Sequence, residues 1–256
     1  MKVELIDWTQ NALELLLYTK NTRLQGGQTF EEIIMDWSEE KKLEHLAYMR
    51  DTIKSSWEFV NYTFQISEVT RAFTHQLVRT RNGRYAQESM RTVDVRDADF
   101  LTPSGPDPEL QNRFDGYVIA AMYGYENLID LGMPVQDARG LLPTNVCTSI
   151  IAQFSLRTLH EMAVVRLCTR TQGEYQDVFR AMKAQVVRIH PWADDFIQVG
   201  CVNTGVCVFP RYKDCPIQKF THTAELMHEE VRANVKRRFN EIRHEARPVV
   251  KDGRTM

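Results

Sequence analysis

The alternation of apolar and polar positions begins at the N-terminus, where Val3, Leu5 and Ile6 stand among polar neighbours over residues 1–10 in the manner of a strand. A short helix follows through Leu17. From Thr29 the period lengthens. The run TFEEIIMDWSEEKKLEHLAYMRDTIKSS has helical spacing, with Glu32 placed to close a capping box on Thr29, and predicts two helices that break near Trp37–Ser38. Residues 57–66, WEFVNYTFQI, are aromatic and β-branched and predict a strand. Beyond Glu68, Val69, Ala72, Phe73, Gln76 and Leu77 return to helical spacing, and Asn82-Gly83 marks a turn.

TPSGPDP (102–108) predicts a surface loop, followed by a helix that ends at Gly132 and a shorter one from Pro134. Residues 144–154 begin as a turn and continue as a strand or a helix start; the pattern leaves both open. LRTLHEMAVVRLC (156–168) and GEYQDVFRAMKAQVVRI (173–189) predict amphipathic helices, the first placing Arg157 and Glu161 one turn apart. A last, heavily charged helix is predicted over about 221–246. With no repeat and no long linker, the pattern predicts one α/β domain of the α+β type over 1–256, helix-rich, with helices flanking a central twisted sheet.

Composition narrows the function classes. At 43% apolar and 26% charged residues the chain has the make-up of an ordinary globular protein, and a formal charge of −2 excludes a nucleic-acid coat, which needs many cations to displace counterions. No apolar run approaches the ~20 residues of a membrane span, and none at the N-terminus suits a signal peptide. The expectation is a cytoplasmic protein with no nucleic-acid or membrane partner. Five cysteines, an odd number with no C-x-x-C pair, point to reduced thiols, and no metal is expected.

The candidate chemistry concentrates in His75–Val93, HQLVRTRNGRYAQESMRTV. It gathers Arg79, Arg81, Arg84 and Arg91 with Gln76, Gln87, Glu88 and Ser89 in an otherwise neutral chain. Arginine offers a planar fork of donors that matches phosphate oxygens, and amides and hydroxyls satisfy the rest, so the stretch reads as an anion site, with a solvated basic helix face as the plainer alternative. Glycine-rich phosphate loops, G-x-S-x-G elbows and H-E-x-x-H are absent. His75 and His160 are expected as packing residues and Cys168 as a buried thiol, which leaves the chemistry to arginines and a cofactor.

The order Arg79-Thr80-Arg81, seven residues, Ser89 resembles the R-H-R, seven residues, S signature of flavin-dependent thymidylate synthases, the ThyX family. TRAFTHQLVR and QES-x-R resemble that family's R-x-x-x-H-Q-L-V-R and Q-Q-S-x-R, and SSWEFVNYTF its S-x-L-E-H-V-x-F-T-F. Downstream, ARGLLP (138–143) and VRLCTRTQGEYQ (165–176) resemble A-R-x-x-L-P and L-R-x-C-x-x-A-Q-x-E-I, so the likeness spans about residues 50–215. It implies a homotetramer with sites at subunit interfaces, a methyltransferase that converts dUMP to dTMP with FAD, NADPH and 5,10-methylenetetrahydrofolate. Gln76, Arg79, Gln87, Glu88, Ser89, Arg91, Arg139 and Arg166 would surround the deoxyuridylate, with Arg166 and Ser89 catalytic and Arg166 at the uracil ring. Ser55, Glu58, Arg79, Thr80, Arg81, Ser155, Arg157, Glu161 and Arg170 would hold FAD. A fixed guanidinium beside the pyrimidine can be worth ~3 kcal/mol of barrier.

The departures fall mostly on the flavin positions. Thr80 replaces the signature His, Phe59 the His of the E-H pair, Ser155 and Glu161 stand where Asn is usual, Arg170 where many members have His, and Ile53 where some place a flavin-proximal His. The nucleotide side is expected to be retained and the redox side altered. Two further readings follow: a related C5-modifying enzyme such as a pyrimidine nucleotide hydroxymethylase, and a nucleotide-binding homologue without catalysis.

Overall fold

Four antiparallel strands form one sheet: β1 (Lys2–Trp8), β2 (Asn61–Thr70), β3 (Arg84–Gln87) and β4 (Cys147–Ser155), in the order β1-β2-β4-β3. The computed structural model describes residues 1–23, 26–52, 54–105 and 107–204, with Cys207, Cys215 and Ile217 beyond them. Ile53 and the predicted helix over about 221–246 lie outside the described residues. The chain divides into two compact units, Met1–Ile197 and Gln198–Met256. All four strands lie in the first.

Strand alternation sets the sheet's inner face. Tyr62, Phe64 and Ile66 of β2 and Ile150, Ala152 and Phe154 of β4 are buried, whereas Thr63, Gln65, Ser149, Ile151 and Gln153 between them are not. The helices of the main core cover that inner face. They are α1 (Ala12–Arg23), α2 (Phe30–Asp36), α3 (Glu39–Thr52), α4 (Arg71–Leu77), α7 (Leu156–Arg166) and α8 (Gly173–Ile189). On α8, Tyr175, Val178, Phe179, Met182 and Val186 are buried at helical spacing, each large apolar side chain contributing about 1.5–3 kcal/mol. The mixed, helix-rich α+β arrangement is the one expected.

A second, smaller core forms around Val95, Tyr125 and Ala138. Its main element, α5 (Pro108–Asp130), is capped by Asp107 and stopped at Gly132, which takes φ +91° while Met133 N donates to Leu128 O. Only Val118 and Tyr125 of this 23-residue helix are buried, and Leu110, Tyr117, Ile119 and Tyr123 are exposed. After it come α6 (Val135–Ala138) and a 3-10 turn, Arg139–Leu141. In the second unit the described helix is α9 (Gly200–Thr204).

Several boundaries differ from the pattern's expectation. Thr29 and Glu32 close the capping box, and the helices break at Trp37–Ser38. The expected strand over 57–66 is instead a 3-10 helix, Lys54–Phe59, followed by β2, because Trp57 and Val60 turn into the core on a tight turn rather than on a pleat. β2 also runs past the predicted helix start to Thr70. A bulge at Ile66/Val69, with Glu68 at φ +55°, restores the register. Residues 144–154 resolve as a turn and strand β4, and the short β3 carried no sequence signal.

Candidate functional site

The site is built outward from α4, whose start is fixed from three directions. The Thr70 hydroxyl accepts from Phe73 N at 3.0 Å, and the loop before β4 takes the next donors, Arg71 N to Val146 O (3.1 Å) and Ala72 N to Thr144 O (2.8 Å). Glu174, in the first turn of α8, accepts from Thr70 N (2.7 Å) and from the Thr70 hydroxyl (2.5 Å). The helix period then separates the side chains: Arg71 and His75, four apart, share one face, while Gln76 projects from another.

Arg71 and His75 line a cavity of about 620 Å³ with Glu88, Ser89, Arg139 and Thr144. Arg71 Nη2 donates to Glu88 O at 2.6 Å, but its Nε is buried with no acceptor. Burial pulls the Arg71 pKa below its ordinary value, with Glu88 opposing that shift and the nearby Arg139 adding to it. The Glu88 carboxylate is spent on the protein, accepting from Thr148 Oγ1 and Ser149 N at 3.3 Å each. Arg139 Nε donates to Gln136 O at 3.0 Å, and Ser89 Oγ accepts from Arg91 N at 3.3 Å. Two guanidiniums, one of them carrying the orphaned N–H, and a hydroxyl thus face a cavity that Glu88 and Asp137 also line, a donor set of the kind that binds anions.

Gln76, Arg79, Gln87, Arg91 and Arg166 do not line this cavity. Gln87 Nε2 donates to Thr74 Oγ1 at 2.8 Å. Gln76 Nε2 donates to Gln172 Oε1 at 2.5 Å, and the Arg166 guanidinium lies 4.2 Å from the ring centroid of Tyr175. Gln172 and Tyr175, three residues apart, thereby bring Gln76 and Arg166 to one place. Of the expected nucleotide residues, Glu88, Ser89 and Arg139 line the cavity, whereas Gln76 and Arg166 come together at the start of α8.

The turn Val78–Gly83 is held by Tyr85, whose hydroxyl donates to Leu77 O (3.0 Å) and Thr80 O (2.7 Å). Burial raises the Tyr85 phenol to about 12. Gly83 lies against Phe154 and the Tyr85 ring, where a Cβ would fall 2.6 Å from both Phe154 Cε1 and Tyr85 Cζ. Arg79 and Arg81 are exposed on this turn. The register pairs Arg84 with Gln153 and Asn61 with Ser155, so the turn, the C-terminal end of β4 and the start of α7 share one end of the sheet.

Most expected flavin residues gather at that end. Ser155 caps α7, accepting from Thr158 N at 3.2 Å, so Ser in place of Asn preserves the cap. It also donates to Glu58 Oε2 at 3.4 Å. Arg157 pairs with Glu58 at 3.3 Å and with Glu161 at 3.1 Å. Ser55 accepts from Arg23 Nη1, and Arg170 is exposed in the turn between α7 and α8. Three guanidiniums and a helix start fit a diphosphate-bearing cofactor in kind, though two carboxylates oppose one of the three.

A family model, thymidylate synthase complementing protein, matches residues 4–192, well over half of the chain. The chain belongs to the thymidylate synthase complementing protein family. It is 30% identical over 222 residues to a flavin-dependent thymidylate synthase of Pyrococcus horikoshii, covering 81% of this chain and 89% of that one. Proteins of the same description from Sulfurisphaera tokodaii (29% over 211 residues, 79% of each chain) and Clostridium tetani (29% over 228 residues, 81% and 90%) are similar. The family match takes in the cavity residues, Arg166 and the expected flavin residues.

Two residues at the site, Arg71 and Gln172, had no role assigned in the sequence, and a third, His75, was expected to pack. Arg71 and His75 stand on the cavity side of α4, and Gln172 engages Gln76. His75, expected to pack, is exposed at the cavity, whereas His160 does pack, its Nδ1 at 2.7 Å from Phe196 O and its ring on Trp57. The i, i+4 spacing of Arg71 and His75 was the available signal. Among the described residues no three His, Cys, Asp or Glu side chains converge as a metal would require, and no helix is long and apolar enough to cross a membrane.

Proposed function

We propose that this chain is a flavin-dependent thymidylate synthase that methylates C5 of deoxyuridylate, with methylenetetrahydrofolate as the one-carbon donor and NADPH as the reductant. The observation that carries the reading is the buried, acceptor-less Nε of Arg71 beside Arg139 in the cavity that Ser89 also lines. Arg71, Arg139 and Ser89 bind the nucleotide phosphate, with Arg91 next to them. Arg79, Gln76 and Arg166 meet the sugar and the pyrimidine, and Arg166 stabilises the negative charge that develops as C5 attacks the one-carbon unit. FAD, when bound, supplies the redox step; Arg79, Arg81, Arg157 and the Ser155-capped start of α7 hold it.

The family resemblance implies a homotetramer with sites at subunit interfaces, and that assembly is part of this reading. The exposed apolar side of α5 supports the same assembly. We also treat residues 1–256 as one family domain. Resistance of the region around 198 to limited proteolysis would bear that out, and ready cleavage there would count against it.

The pairing of Arg157 with two carboxylates favours a second reading, in which an altered redox side leaves a hydroxymethyl product. Mass analysis of deoxyuridylate incubated with the protein, FAD, methylenetetrahydrofolate and NADPH decides between them. A methyl product supports the first reading and a hydroxymethyl product the second. Unchanged nucleotide despite tight binding would defeat both.

A further inference from the structure

Arg166 is held in an unusual way for a buried-side cation. Its guanidinium lies 4.2 Å from the Tyr175 ring centroid, and no carboxylate pairs with it among the described residues. A guanidinium on a ring face is attracted by the aromatic quadrupole while its N–H donors, which lie in its own plane, stay available. A carboxylate would hold it as firmly but would neutralise it and occupy two of those donors.

The ring itself is immobilised. Tyr175 is fully buried, Phe73 of α4 meets it edge-on at 5.0 Å and 86°, and its neighbour Glu174 is tied twice to Thr70. Its hydroxyl makes no hydrogen bond of good geometry, although the Thr80 and Arg166 side chains lie next to it. Tyr175 stands where the family pattern for this segment ends in isoleucine, and Thr80 stands where the signature has histidine. The two substitutions meet beneath Arg166.

We propose that Tyr175 is a positioning residue for Arg166, its ring face fixing the guanidinium plane while the charge and the in-plane donors remain free for the pyrimidine. This rests on the reading of Arg166 as the group at the pyrimidine. The work is done by the ring and not by the hydroxyl. Replacing the phenol by phenyl therefore keeps the seat, and replacing it by isoleucine removes it.

The test uses the full chain as wild type, Tyr175→Phe and Tyr175→Ile. Phenylglyoxal modification of Arg166 is followed by peptide mass spectrometry, with the exposed Arg91 as internal reference. The expectation is equal Arg166 rates in wild type and Tyr175→Phe, and a rate about fivefold higher in Tyr175→Ile, in line with a lost cation–π contact. For thymidylate formation kcat falls about tenfold in Tyr175→Ile and less than twofold in Tyr175→Phe, with the KM for deoxyuridylate and the flavin content little changed. Equal Arg166 rates in all three proteins overturn the proposal. Should Tyr175→Ile fail to fold, wild type alone decides: Arg166 modified as fast as Arg91 overturns it, and a several-fold slower rate supports it. If wild type makes no thymidylate but Tyr175→Ile still exposes Arg166, the functional reading fails while the seat stands.

Discussion

Arg166 and Arg157 stand near opposite ends of α7 and are held by opposite means. Arg166 lies on an aromatic face without an ionic partner among the described residues, whereas Arg157 is flanked by Glu58 and Glu161. The first arrangement preserves charge for a ligand, and the second spends it within the protein. The contrast follows the sequence departures, which fall mostly on the flavin-side positions, although Glu88 and Tyr175 also depart from the family pattern on the nucleotide side. An anion arriving at Arg157 must compete with two carboxylates paired to that guanidinium, whereas the Glu88 carboxylate near Arg71 is engaged by Thr148 and Ser149 and no carboxylate pairs with Arg166 among the described residues.

This comparison can be broken most decisively at Arg166. Arg166→Ala is expected to lower kcat for thymidylate formation about 100-fold or more while flavin absorbance is retained, since removing one preorganised donor typically costs that much. A parallel loss of flavin would merge the two seats into one. Gly83→Ala pushes a methyl group into Phe154 and the Tyr85 ring, at an expected cost of about 1–3 kcal/mol in denaturant unfolding. Because Gly83 lies in the turn between the seats, nucleotide and flavin binding should weaken together.

Glu161→Asn probes the other seat in the opposite direction. Removing one rival carboxylate should tighten FAD binding about two- to fivefold, the scale of an exposed ion pair, and leave the nucleotide affinity unchanged. Weaker FAD binding would show that Glu161 is itself a ligand. A separate effect is expected at alkaline pH. The Tyr85 phenol is raised by burial to about 12, so its contribution to stability is fully present below its unfolded value near 10 and is lost as pH rises toward 12. Tyr85→Phe should flatten the fall in melting temperature over that range.

The parts legible in the sequence were those whose cause is local. The Thr29–Glu32 capping box needs four consecutive residues, and the α8 stripe from Tyr175 to Val186 needs only helical periodicity. β3 was not legible, because Arg84–Gln87 has no apolar alternation and is a strand only through its pairing with β4. The 3-10 turn at Lys54–Phe59 was hidden for a similar reason: aromatic content signals burial, and burial here is achieved without a pleat. In the site, the signature pointed to Ser89, and the ARGLLP and VRLCTRTQGEYQ segments pointed to Arg139 and Arg166. Arg71 stood in the TRAFTHQLVR segment with no role assigned, and only the fold brings Arg139 beside it. No residue count could have shown that Gln76 turns to Gln172 while Arg71 and His75 line the cavity, since that depends on which face of α4 each side chain takes.

The clasp on α4 also acts as a gauge. Glu174 grips the residue before the helix and Gln172 grips Gln76, so two residues of the α8 lead-in span contact points six residues apart. Six residues rise about 9 Å as an α-helix and about 12 Å as a 3-10 helix, and only the shorter span suits a two-residue reach. The distance from Thr70 to Gln76 is thus held by a second stretch of chain. One residue inserted into α4 would break the measure, leaving the phosphate end in place and carrying the signature turn off its bearing.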